Sequence, residues 1–177
     1  PFNQPDVESA KVLARQSVQA YQESGALPRR ETAALSADAV KNFLANLQDG
    51  DYVTLQAYLT PNAESEAVFR KMQARLRDRY RCAVTFGFGP RFLHSTGQLH
   101  KGDRGNGHFI QFVNRSSQDL AIPDNPGQPE SHITFDALKQ AQAIGDGDAL
   151  KAKGRPVLTF VLDGSPLDEL ERLVSAL

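Results

Sequence analysis

The feature that most constrains this chain is a rhythm. Four short β-rich runs, Tyr52–Leu59, Cys82–Phe86, His108–Val113 and Pro156–Leu162, are set apart by segments of helical period. The last run is almost wholly apolar, as strands buried on both faces are. Strands that alternate with helices fold as a mostly parallel sheet with helices packed on it. The expectation is one α/β domain over residues 1–177, three layers deep, with about four strands flanked by helices. A chain of 177 residues is long enough to bury a substantial core.

The helical segments carry their own punctuation. Val7, Ala10, Leu13, Ala14, Val18 and Tyr21 keep helical spacing, which predicts a helix from about Pro5 to about Glu23, ended by Gly25. Ser36 is placed to cap a second helix bearing Val40, Phe43 and Leu44. Thr60-Pro61 reads as a cap and first-turn proline of a third, running to about Tyr80. Thr134 opens a fourth, which Gly145-Asp146-Gly147 is expected to break, leaving a short helix over Asp148–Lys153. Ser165-Pro166 starts the last. Asn114–Ser131, with Pro123, Pro126 and Pro129, reads as a long loop, a length more often functional than not.

Chemistry concentrates in Phe86–Gly102. A short strand runs into Gly87, Gly89 and Pro90, then into Arg91, His94, Ser95, Thr96, Gln98, His100 and Lys101. Open α/β sheets place ligands in this way, at the carboxyl ends of their strands. The donors and two cations suit an anionic, hydroxyl-rich ligand such as a sugar phosphate. A solvated surface loop with incidental histidines is the competing reading.

Several chemistries are disfavoured. His94, His100 and His108 stand six and eight residues apart, and with Cys82 they match no metal-ligand pattern, so no metal is expected. G-x-S-x-G is absent, and Ser95 beside His94 makes a poor catalytic pair. Gly102–Gly107 lacks the spacing of a nucleotide loop. The single cysteine, Cys82, lies in an apolar run and is expected to be a small core residue. With 20 Lys+Arg against 21 Asp+Glu, nothing points to nucleic acid or a membrane surface. A cytoplasmic protein is expected.

Two stretches carry a resemblance. Phe2-Asn3-Gln4-Pro5-Asp6-Val7-Glu8-Ser9-Ala10-Lys11 resembles the phosphoglucose isomerase signature F-[DN]-Q-x-G-V-E-x-x-K at six of its seven fixed positions, with Asp6 where the family has Gly. Leu93-His94-Ser95-Thr96-Gly97-Gln98 is similar to the L-H-S-x-G-Q segment of bacterial members. The longer run Gly89–Gly102 resembles the isomerase part of fused transaldolase/glucose-6-phosphate isomerases. The resemblance implies a sugar-isomerase-like fold and aldose–ketose isomerisation of glucose 6-phosphate and fructose 6-phosphate, without cofactor. It implies that Lys11 and His94 are catalytic, assisting ring opening, and that Gln4 lies near the substrate phosphate. Ser95, Thr96 and Gln98, beside His94, are candidate substrate contacts.

The lysine motif precedes the histidine motif here, the reverse of the family order, as a circular permutation would give. The family's proton-shuttling glutamate should fall near Ala74–Tyr80, where Asp78 is the only carboxylate, and it stays unassigned. Opening on Pro1, with a motif already in the first eleven residues, the chain is expected to be cut from a longer polypeptide. That parent would supply an N-terminal isomerase subdomain with a phosphate loop, and a transaldolase domain if it is a fusion. A non-catalytic sugar-phosphate-binding module is the alternative.

Overall fold

The computed structural model describes residues 5–116 and 118–177, with Ser95 described by its backbone. The elements run α1 (Pro5–Ser24), α2 (Ala37–Phe43), β1 (Tyr52–Tyr58), α3 (Ala63–Tyr80), β2 (Ala83–Phe88), a 3-10 turn (Arg91–Leu93), α4 (Ser95–Gly102), β3 (Gly107–Asn114), β4 (Ala121–Ile122), β5 (Ile133–Thr134), α5 (Phe135–Ala152), β6 (Val157–Leu162) and α6 (Pro166–Ala176). The main sheet has the order β2-β1-β3-β6 and every pairing is parallel. This is the expected three-layer α/β architecture with four parallel strands. No helix among the described residues is long and apolar enough to cross a membrane.

Side chains alternate across a strand, so the two faces of β1 have different fates. Val53, Leu55 and Ala57 enter the principal core with Val68, Phe69, Met72 and Leu76 of α3 and Leu170 and Leu173 of α6. Phe69 is its centre, stacked on Phe86 at 5.9 Å and edge-on to Phe112 at 5.4 Å. Arg75 and Arg79 of α3 donate to the carbonyls of Val174 and Leu177 at the end of α6. Part of the cationic end of α3 therefore satisfies the last carbonyls of a neighbouring helix.

The other face of the sheet, covered by the α1, α4 and α5 layer, is polar at its centre. Gln111 donates to Gln56 Oε1 at 3.0 Å, and the Thr159 hydroxyl donates to Gln111 Oε1 at 3.2 Å. All three side chains are buried, so their mutual bonding removes much of the cost of burying amides and hydroxyls.

Four local expectations give way. The third helix starts later than expected. Its cap is Asn62, whose side chain accepts from Ser65 N at 2.8 Å while Ser65 Oγ accepts from Asn62 N, a reciprocal pair that Thr60-Pro61 could not make. At the last helix Pro166 takes the first turn as expected, but Ser165 makes no side-chain cap bond, and Glu169 accepts the Gly164 N–H instead. The stretch after Pro90 is helical, as the 3-10 turn and α4. The loop after β3 contains β4, paired antiparallel with β5.

The largest departure is at Gly145-Asp146-Gly147, which lies inside a continuous α5. Tertiary contacts explain it. A Cβ on Gly145 would stand 2.5 Å from Ala14 N and 2.8 Å from Ala10 O, so its absence lets α5 lie against the backbone of α1. A Cβ on Gly147 would press on Gln111 Oε1 at 3.0 Å. The glycines are spaces for neighbours, and the helix tolerates their propensity cost. Gly145→Ala is accordingly expected to destabilise by about 1–3 kcal/mol through overpacking, despite alanine's better helix propensity. Urea unfolding measures it, and a neutral or stabilising result would contradict the close approach of α1 and α5.

Candidate functional site

The segment carrying His94 is positioned by β2 and by glycine. The Gly89 N–H donates to Ala57 O at 2.9 Å, and a Cβ on Gly89 would stand 2.5 Å from the Tyr58 ring. Only glycine lets the chain pass so close over that buried tyrosine. The 3-10 turn follows, and His94 links it to α4 with an exposed side chain that makes no capping bond.

Lys11 lies on the outer part of α1, half exposed, with Nζ 3.5 Å from Glu8 Oε2. It lines a mostly apolar groove of about 620 Å³ together with Val7, Ala14, Val18 and Leu93. Leu93 immediately precedes His94, so the two motifs, distant in sequence, approach each other here, although His94 itself is not among the residues lining the groove. Gln4 and the Ser95 side chain lie outside the described residues.

Gln98 turns towards α1. Its Oε1 accepts the Asp6 backbone N–H at 3.1 Å, and its Nε2 donates to Asp6 Oδ2 at 2.8 Å. Asp6 also pairs with Lys153 at 2.8 Å, and that ammonium holds its carboxyl below the usual carboxylate range. Asp6 thus ties together α1, α4 and the segment after α5, and Gln98 spends its amide on that tie. Thr96 faces another groove, of about 610 Å³, over the α4 side of β1 and the edge strand β2. Thr85, Phe92 and Leu99 line it, and Leu99 is 63% exposed.

Two members of the polar cluster are interior groups. Lys101 is 2% exposed and its ammonium contacts Asp146 Oδ1 at 2.5 Å, with Asp146 fully buried. Asp146 is the middle residue of the tripeptide that reads as a helix breaker, which is why this partnership is hard to see in the sequence. His100 is 4% exposed, its ring 5.1 Å from that of Phe109. Burial pushes its pKa down to about 4, with Asp146 opposing and Lys101 assisting, so it is neutral near pH 7. Arg155 fastens the end of α4 by donating to the carbonyls of Lys101 at 3.0 Å and Asp103 at 2.9 Å. Lys101 and His100 therefore build the platform beneath His94 and leave ligand contact to other groups.

Asp78 lies exposed on α3, bonded to Arg77, in the layer on the opposite face of the sheet from α1 and α4. The fold does not bring it to Lys11 or His94. Cys82 packs partly buried against the principal core, and burial pushes its thiol pKa up, away from the range of a nucleophile. Among the described residues no three His, Cys, Asp or Glu side chains gather as metal ligands.

No protein-family model matches the chain, and no curated protein matches it in sequence. A solved structure is similar in fold: the hypothetical protein TT0462 from Thermus thermophilus, with a TM-score of 0.63 at 16% identity. The likeness covers 95% of this chain but 43% of that one, so this chain spans less than half the length of the protein it matches. At that identity the likeness establishes the fold alone.

Proposed function

We propose that this chain is a permuted sugar-isomerase-type lobe of a glucose-6-phosphate isomerase, interconverting glucose 6-phosphate and fructose 6-phosphate. The observation that carries this reading is the shared groove of Lys11 and Leu93, which aligns the two motifs on one surface. Ring opening needs a group that moves a proton at the ring oxygen, and the exposed imidazole of His94 takes that role. A nearby ammonium stabilises the negative charge that develops on oxygen, and Lys11 takes that role. Proton transfer between C1 and C2 through a cis-enediol then needs a base, and the substrate phosphate needs an anchor. Both are assigned to another lobe of a longer chain.

The open groove over β2, with Leu99 at its rim, suits a face against which such a lobe packs. The place of Asp78 favours a second reading, a sugar-phosphate-binding module that kept the fold without the chemistry. The two readings separate in the longer chain. Lys11→Ala or His94→Ala is expected to lower isomerase turnover there by about a hundredfold or more while the protein stays folded. Unchanged turnover in both variants would remove these residues from the mechanism.

A further inference from the structure

A third cavity, of about 540 Å³, opens at the carboxyl ends of β3 and β6. That is where open parallel sheets take their ligands, and the volume is that of a small-molecule pocket. Arg29, Arg30 and Thr32 enter it from the linker between α1 and α2, Arg115 from the end of β3, and Thr134 and Gln140 from the start of α5.

Three arginines and three carboxylates line the cavity, and each carboxylate is engaged. Asp136 accepts from Lys139 at 2.6 Å, from Gln140 and from Ser116 N. Asp119 accepts the backbone N–H groups of Leu120 and Asp136, both at 2.9 Å. Asp163 faces Arg115 at 3.5 Å. Arg29 and Arg30 have no carboxylate within ion-pairing distance among the described residues.

Arg30 is the sharper case. Its Nη1 is closed off from solvent without a hydrogen-bond partner, while the rest of the half-buried residue lines the cavity. Burial pushes its pKa down; the negative charges that Tyr58 and Asp148 can carry oppose the shift, and the like charge of Arg115 adds to it. A guanidinium nevertheless stays protonated. Two cations that repel each other across a cavity, one of them desolvated and unpaired, are both relieved by an oxyanion between them. A phosphate accepts the forked donors of a guanidinium in the geometry they present.

We propose that this cavity is a separate oxyanion site, which takes the phosphate group of a small phosphate ester between Arg30 and Arg115, with Arg29 and Thr32 at the rim. Its arginines lie away from Lys11: Tyr21 lines the cavity ten residues beyond Lys11 on α1, roughly 15 Å along the helix, although the groove that Lys11 lines runs along α1 as far as Gln22. The inference does not rest on the isomerase reading.

The test is titration calorimetry of the folded chain with inorganic phosphate, against sodium chloride at matched ionic strength. Saturable one-to-one binding is expected, weakened about tenfold or more in Arg30→Gln and unchanged in Lys11→Ala. Absence of saturable binding, equal binding by Arg30→Gln, or loss of binding in Lys11→Ala would each overturn the proposal. If Arg30→Gln does not fold, Arg115→Gln takes its place; its exposed side chain can be changed with little risk to the core, and undiminished phosphate binding there overturns the proposal equally. Glucose 6-phosphate binding at this site more tightly than inorganic phosphate supports the ester, and weaker binding overturns that part of the assignment.

Discussion

Asp146→Ala is expected to cost the domain about 3–5 kcal/mol, because it leaves the Lys101 ammonium buried and unpaired. In a chain of this size that lowers the thermal midpoint by roughly 6–20 °C. The penalty belongs to the orphaned charge more than to the pair. Two charges taken out of water together gain little net stability, but one alone has neither water nor a partner. Lys101→Met is therefore expected to cost as much, since it orphans the carboxylate. The double change Lys101→Met with Asp146→Leu is expected to recover most of the loss by replacing the pair with apolar volume. Thermal and urea unfolding of the three variants measure this. Additive losses in the double variant would mean the two side chains act independently, against the contact between α4 and α5. Since α4 begins beside His94, the same variants are expected to disturb the groove that Lys11 lines.

The strands and most helices were legible in the sequence because their signals are local. Tyr52–Leu59 is a β-rich run buried as its composition suggests, whereas Pro156–Leu162, read as buried on both faces, forms β6 at the sheet edge with Val157, Leu158 and Val161 only partly buried. Gly25 ends α1 as read, with a positive φ of 71° that glycine takes without strain. What escaped was decided by contacts between distant segments. Gly145 and Gly147 read as breakers because their purpose, room for α1 and for Gln111, lies on other elements. Lys101 and His100 read as ligand donors because nothing nearby in the chain announces Asp146 or Phe109 as neighbours.

The candidate site divides in the same way. Lys11 and His94 were singled out through motif resemblance, and it is the fold that brings Leu93, the neighbour of His94, into the groove that Lys11 lines. Thr96, read as a candidate substrate contact, is exposed beside a groove, whereas the engagement of Gln98 by Asp6 had no signal in the sequence. The arginine cavity had no sequence signal. Arg29 and Arg30 lie in a linker and Arg115 in a loop, and only the strand ends bring them together.

The second large effect concerns the division of labour between lobes. Isomerisation requires ring opening, a base at C1/C2 and a phosphate anchor, all held in register. In the proposed reading Lys11 and His94 provide for the first. Loss of one positioned general base alone removes about two to four orders of magnitude of rate, and loss of the anchor compounds it. The 177-residue chain is therefore expected to fold, since its two helix layers and four strands close around a continuous core, yet to show almost no turnover.

The most direct measurement is a coupled glucose-6-phosphate isomerase assay on this chain and on the longer chain proposed to contain it, under the same conditions. The account predicts an active longer chain and a 177-residue chain slower by at least about a hundredfold. An inactive longer chain would contradict the isomerase reading. Turnover of the isolated chain within about tenfold of the longer one would contradict the division between lobes and require a base among its own residues.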